Sequence, residues 1–280
     1  MMCAAIHKNL IRANANKRSR TVGALAAGWL LLAAQAPFAA EPGADPLTGL
    51  GLQFEAARLD ARLGDRTGVE DVSRALAALD KGQVPADRRA AAALLRGWAA
   101  LESGDATAAG REYERAARDA DTDGLRAAAG FLRIEALEAG SDDAEAAKQW
   151  ARWLRDHGGT PLAPEARLHQ AWNDLRTGQT KVAAGRLEQL AAAENWLADD
   201  QRFVLAQATV DYLSGDHAAA LTKLERRGTG AGAIYLKALC RRAAGDHLRA
   251  AASFQEVSDR YPDSPLRDHA LLAKANIFLE

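Results

Sequence analysis

Cysteine is nearly absent from this chain, with two in 280 residues, Cys3 and Cys240. So few thiols exclude a disulfide framework and any cysteine-based zinc cluster. Aromatics are scarce at 6%, and valine, isoleucine and threonine nowhere alternate over a strand-length window, so the pattern of a half-buried strand is missing. Proline is rare as well. Of eight, Pro85, Pro161, Pro164, Pro262 and Pro265 fall between helical stretches, and the other three lie near the N-terminus. Inside a helix each would cost about 3 kcal/mol or more, so their placement marks helix boundaries. No sign of charge dominates, with 36 basic against 37 acidic residues.

Long apolar runs are also missing, with one exception near the N-terminus. Lys8, Arg12, Lys17, Arg18 and Arg20 come first, without an acidic residue, and Val22 to Ala34 is then unbroken apolar residues and glycine. Small residues follow as far as Ala39-Ala40. This is the pattern of a secretory signal peptide over residues 1–40. Cleavage after Ala40 places Phe38 at −3, and cleavage after Ala36 leaves Pro37 next in line. The run spans 13 residues, short of the roughly 20 that a membrane-spanning helix needs. Without residues 1–40, 31 basic against 37 acidic side chains leave a formal charge of −6 and no basic stripe for nucleic acid. Cys240 is then the lone thiol, since Cys3 lies too early to carry a lipid at the end of the apolar run. Export to the periplasm, without reliance on disulfides, is the expectation.

What the chain has in abundance is alanine, arranged around glycine. Residues 41–51, rich in proline and glycine, read as a lead-in segment. From Leu52 a helical stretch repeatedly ends in glycine and an alanine-rich helix follows. The marker glycines are Gly64, Gly104, Gly140, Gly178, Gly215 and Gly245, spaced 40, 36, 38, 37 and 30 residues apart. Seven before the marker stands a small residue (Ala57, Gly97, Ala171, Ala208, Ala238). Five after it stands Ala109, Ala183, Ala220 or Ala250, and nine after it Tyr113, Leu187, Leu224 or Phe254. Small residues let two antiparallel helices approach, a large one fills the groove between them, and glycine allows a left-handed turn. Around Gly140 the loop is one residue longer, which moves the alanine and large positions to Ala146 and Trp150 and puts Arg133 at the small one. Around Gly64, Val69 replaces the alanine, as expected of an atypical terminal repeat.

The best-formed unit, Gly245–Pro265, has Ala250, then Phe254 four residues on, then Pro262 eight further. That spacing resembles the second half of a tetratricopeptide (TPR) unit. The resemblance covers roughly residues 52–280, and Arg260-Tyr261-Pro262-Asp263-Ser264-Pro265 is similar to the repeats of periplasmic TPR proteins of the Tol–Pal coordinating type. It implies an all-α fold, a right-handed superhelical solenoid of about six antiparallel helix pairs. From Leu266 a further helix begins, with Leu271, Leu272, Ala275, Ile277, Phe278 and Leu279. A turn glycine is due just past Glu280, so the expectation is that the sequence stops in mid-repeat.

In TPR arrays the first helix of each pair lines a groove. Carried over position by position, the resemblance puts Trp98, Leu168, Trp172, Arg176, Arg202, Tyr212, Tyr235 and Arg242 there, and aromatics and arginines are enriched at binding hot spots. The alternative for Trp98 and Trp172 is that they fill gaps in an alanine-rich core. Trp150 reads as a packing residue, while Trp153 and Trp196 are not assigned.

Catalytic and metal constellations are weak. Asp119 to Gly124 copies the first half of a calcium loop but has Gly130 where a bidentate glutamate belongs, and reads as an inter-repeat cap. Gly228 to Gly232 follows a helix, lacks the G-x-G-x-x-G spacing and a P-loop lysine, and reads as a turn. Glu102-Ser103 matches the acid of lytic transglycosylases but leads into the Gly104 turn. His217 and His247 share one repeat position, and no zinc spacing or nucleophile elbow occurs. The expected function is a non-catalytic scaffold in the periplasm or envelope, without cofactor or metal, binding a protein or peptide in the groove. The alternatives are the superhelical part of a transglycosylase-type envelope enzyme and an exopolysaccharide-export scaffold.

Overall fold

The structure, a computed structural model, describes residues 67–79, 84–140, 142–194 and 199–279. The signal-peptide and lead-in segments, Gly64 and Trp196 lie outside them. The described residues form twelve α-helices and no strand, which is the all-α architecture expected. They divide into two compact units, one ending at Thr160 and the other beginning at Pro161.

The first unit contains α1 (Thr67–Ala78), α2 (Arg89–Glu102), α3 (Ala106–Asp119), α4 (Asp123–Ala139) and α5 (Asp143–His157). Here α2 pairs with α3 and α4 with α5, and α3 packs on α4. The second unit contains α6 (Ala163–Arg176), α7 (Thr180–Ala193), α8 (Gln201–Leu213), α9 (His217–Arg227), α10 (Gly230–Ala243), α11 (His247–Arg260) and α12 (Arg267–Ile277). Its pairs are α6/α7, α8/α9 and α10/α11, with α12 packed on α11.

The Gly-Asp dipeptides end one helix and begin the next. Gly104 has φ 86°, in the left-handed region, and Gly178, Gly215 and Gly245 repeat that conformation. The Gly104 N–H donates to the Leu101 carbonyl and the Asp105 N–H to the Ala100 carbonyl, which satisfies two carbonyls of the last turn. Asp105 then caps α3 by accepting from the Ala108 N–H at 2.8 Å, and Asp142, Asp216 and Asp246 cap α5, α9 and α11 in the same way. Each such cap stabilises by about 1 kcal/mol. Gly140 differs from the other markers. Its φ is −74°, and the longer bond runs from Asp142 to Leu137, so the turn is displaced by one residue as the longer loop requires.

The packing positions behave as the repeat pattern demands. Ala109, Ala146, Ala183, Ala220 and Ala250 are buried, and so are the large residues four further on, Tyr113, Trp150, Leu187, Leu224 and Phe254. Burial of each large side chain is worth about 1.5–3 kcal/mol. Facing them, Ala171, Ala208 and Ala238 are buried too, but opposite Tyr113 the small residue is Gly97. A Cβ on Gly97 would stand 2.6 Å from the Tyr113 ring, so the larger side chain is admitted only because its partner is the smallest. In the displaced α4/α5 pair, Trp150 meets Phe131 edge-on at 4.8 Å, and a Cβ on Gly130 would press on Trp153 at 3.3 Å. Trp153, unassigned from sequence, is a core residue whose indole N–H donates to the Ala127 carbonyl at 2.9 Å. Polar pairs stitch the edges: Arg133 to Gln149 at 2.9 Å, Arg186 to Gln170 at 2.8 Å, and Arg241 to Ser253 at 2.7 Å.

Candidate functional site

A partner is held by what a surface exposes, and five of the eight side chains assigned to the groove are inside. Trp98 is 5% exposed and sits in the first unit's cluster with Leu76, Val84 and Leu95. In the second unit Leu168, Trp172 and Tyr235 are each 1% exposed, in one core with Ala183, Leu187 and Phe254. These four are core residues in this structure, a correction to their groove assignment. The physical reason is the alanine-rich packing face: its small side chains leave volume that only a large neighbour on the first helix fills. Arg176, at the end of α6, is also buried.

Arg202, Tyr212 and Arg242 remain at the surface of the second unit, each half-buried. They stand on α8 and α10, adjacent first helices in one layer with α6. Tyr212 and Arg242 occupy the same repeat position, three residues before Gly215 and Gly245. Tyr212 packs against the core edge with its ring 5.2 Å from His217. Burial, and then the neighbouring Tyr212, push the Tyr235 hydroxyl up to about 12, while Arg242 acts in the opposite direction. Tyr212, Tyr235 and Arg242 therefore form a small neighbourhood with one buried and two half-exposed members.

Arg202 is engaged differently. Its guanidinium grips the buried Glu165 carboxylate with two nitrogens, Nη1 to Oε1 and Nη2 to Oε2, the second at 2.8 Å. It also reaches Asp200, with Nη2 at 2.8 Å from Oδ2, while Asp200 caps α8 through the Arg202 and Phe203 N–H groups. His169 Nε2 lies 3.5 Å from Glu165 Oε1. Burial works against the charged Glu165, but His169 and the Arg202 guanidinium overcome it and hold the carboxyl at about 2, below its ordinary 4.5. Glu165 and Arg202 are both thirteen residues before their marker glycines, so one repeat position carries opposite charges on neighbouring helices. Arg202 is thus committed to an intramolecular ion pair, which makes it a structural residue first.

Other motifs resolve as local structure. The Thr122 hydroxyl in the Asp119–Gly124 turn accepts from the Leu125 N–H and caps α4. The Gly228–Gly232 segment is a short linker, Gly228-Thr229, running into the first turn of α10, which the chain enters through Gly230 at φ 83°. Glu102 is the last residue of α2, with Oε1 buried and without a hydrogen-bond partner among the described residues. The Tyr113 hydroxyl is likewise buried and unbonded among them, and its pKa is raised well above the ordinary 10.0 by burial first and by Glu135 and Glu102 next. Burial, and then Asp211, push the Cys240 thiol up to about 12, which leaves it unreactive at neutral pH. Among the described residues no three His, Cys, Asp or Glu side chains converge as metal ligands, and no helix is long and apolar enough to cross a membrane.

The architecture is shared with a known structure. A tetratricopeptide repeat protein from Parabacteroides merdae ATCC 43184 superposes with a TM-score of 0.61 at 15% identity, over 84% of this chain and 87% of that one. The apo form of RapI covers 81% of this chain and 84% of its own at 10% identity, and its TM-score of 0.48 adds nothing to the assignment. No family model matches the sequence, and no curated protein matches it. The fold is therefore that of TPR-like helical repeats.

Proposed function

We propose that the chain is a non-catalytic protein–protein interaction scaffold of the periplasm or cell envelope. Its partner, a protein or peptide, lies against the first-helix layer of residues 161–280. The observation that carries the binding face is the recurrence of Tyr212 and Arg242 at one repeat position of adjacent helices, half-exposed and of the residue types enriched at hot spots. The compartment rests on the basic, apolar and small-residue order of residues 1–40, and the likeness to periplasmic TPR proteins of the Tol–Pal coordinating type rests on the 260–265 motif. Pulldown from envelope extract with wild type and with Tyr212→Ala/Arg242→Ala is the test. The expected result is the loss of a discrete partner from a variant that keeps its helical circular dichroism. Identical partner lists would count against the face, and cytoplasmic retention of the unprocessed chain would count against the compartment.

A further inference from the structure

Beside the hairpin of α2 and α3 lies a cavity of about 400 Å³ that the repeat frame does not use. Val84, Ala92 and Ala93 line it with buried apolar surface. The rest of its lining is charged: Arg89 and Arg96 from α2, and Glu112, Arg115 and Asp119 from α3. The two helices run antiparallel about Gly104. Arg89 and Asp119 each stand fifteen residues from it, and Arg96 and Glu112 each stand eight. Two rungs of the hairpin therefore set a cation of α2 against an anion of α3, and among the described residues neither rung closes into an ion pair. Arg96 turns instead to the end of α1, donating from Nε to the Leu76 carbonyl at 3.0 Å and from Nη2 to the Leu79 carbonyl at 3.3 Å. Glu112 accepts from Arg115 Nη1 on Oε1 at 2.6 Å, and its Oε2 is buried with no hydrogen-bond partner among the described residues. Arg89 and Asp119 are exposed and have no partner among them at all. Each also opposes its helix dipole, since Arg89 is the first residue of α2 and Asp119 the last of α3. A pair between them would relieve both, yet both line the cavity unpaired.

We infer that this cavity is a binding site for a free acidic amino acid. Arg89 takes the α-carboxylate and Asp119 the α-ammonium, the two ends for which this rung holds an unspent cation and an unspent anion. The second carboxylate goes to Arg96 Nη1 and to the N–H groups of Arg115 that Glu112 leaves over, since a guanidinium presents its donors in the fork that a carboxylate fits. Arg89 and Arg96 are two turns apart, about 10 Å along α2, a gap that two arginine side chains close on the ends of a five-carbon diacid. The charge balance agrees. Three guanidiniums against two carboxylates leave the lining at one net positive charge, and a ligand with two carboxylates and one ammonium carries one negative charge. The buried Val84, Ala92 and Ala93 receive its methylenes, and the volume stands at the small end of ligand pockets, roughly 300 to 1,000 Å³. A residue inside a peptide has neither end charge, so the class is the free amino acid.

The test is isothermal titration calorimetry of L-glutamate into the full chain, with glutarate, which lacks the ammonium, as the second probe. L-glutamate is expected to saturate one site at millimolar concentration or below, about tenfold or more tighter than glutarate. Arg89→Ala should weaken both probes about tenfold or more. Asp119→Asn should bring L-glutamate down to the level of glutarate without weakening glutarate itself. Both substitutions lie at exposed positions without a partner among the described residues, and an unchanged melt confirms that each variant folds. No saturable binding of L-glutamate, equal binding of the two probes to wild type, or binding indifferent to Arg89→Ala overturns the inference. Such a failure leaves the Tyr212/Arg242 face untouched, because that face lies on α8 and α10 and is read by pulldown.

Discussion

The two compact units fill one helix-pair frame by different means. The unit ending at Thr160 uses bulk: Tyr113, Trp150, Trp153 and Phe131 are buried, with Gly97 and Gly130 making room for two of them. The unit beginning at Pro161 buries bulk as well, in Trp172, Tyr235 and Phe203, but at the facing repeat positions it holds to alanine against leucine or phenylalanine, and it adds a buried ion pair between neighbouring first helices, Glu165 with Arg202. A repeat therefore conserves the combined volume of its facing positions, with Gly97 and Tyr113 in one pair and Ala171 and Leu187 in another.

The largest expected effect breaks the bulk side. Trp150→Ala removes the centre of an aromatic cluster and should cost about 3 to 5 kcal/mol, read by urea unfolding with hydrogen exchange to localise the loss to residues 123–157. Arg202→Ala attacks the charge side and should cost about 3 kcal/mol, because it leaves Glu165 buried without its guanidinium. The same pair sets a pH window. Because the Glu165 carboxyl is held at about 2, its contribution is full above the ordinary 4.5 and is lost as pH falls from 4.5 toward 2. Exchange protection in α6 and α8 should decline there in wild type, and equal acid sensitivity in Arg202→Ala would contradict the assignment.

Smaller substitutions sharpen the volume rule. Gly97→Ala should destabilise by about 1 to 3 kcal/mol through the contact with Tyr113. Adding Tyr113→Leu recreates the Ala171/Leu187 combination and should recover part of that loss, so additive single and double mutants would count against compensation. Smallest of all, Tyr113→Phe should be neutral or stabilising by up to about 1 kcal/mol, since it deletes a buried hydroxyl with no partner among the described residues.

Much of this was legible because a repeat carries its own comparison. The glycine ladder, the alanines five residues on and the large residues four beyond recur often enough to fix helix boundaries and packing faces, and even the displaced turn after Gly140 shows as a shift to Ala146 and Trp150. Two further signals stood in the sequence and were missed. Gly97 stands opposite a tyrosine where three other pairs have alanine, and Glu165 and Arg202 lie 37 residues apart, the spacing of Gly178 and Gly215. Exposure was not legible. Whether Trp98, Trp172 or Tyr235 faces a partner or the core depends on how closely the helices approach, which residue type alone does not set. Trp153 was unreadable for the same reason, as its hydrogen bond to Ala127 joins residues 26 apart in neighbouring helices.

The most direct test of a partner-binding first-helix layer is site-specific photo-crosslinking in cells, with a photo-reactive phenylalanine analogue at position 212. Position 248 is the control, because Leu248 is 82% exposed but stands on a second helix. The expected result is a discrete adduct from position 212 that Arg242→Ala abolishes and that position 248 does not form. No adduct from 212, or the same adduct from 248, would contradict a binding face on the first helices.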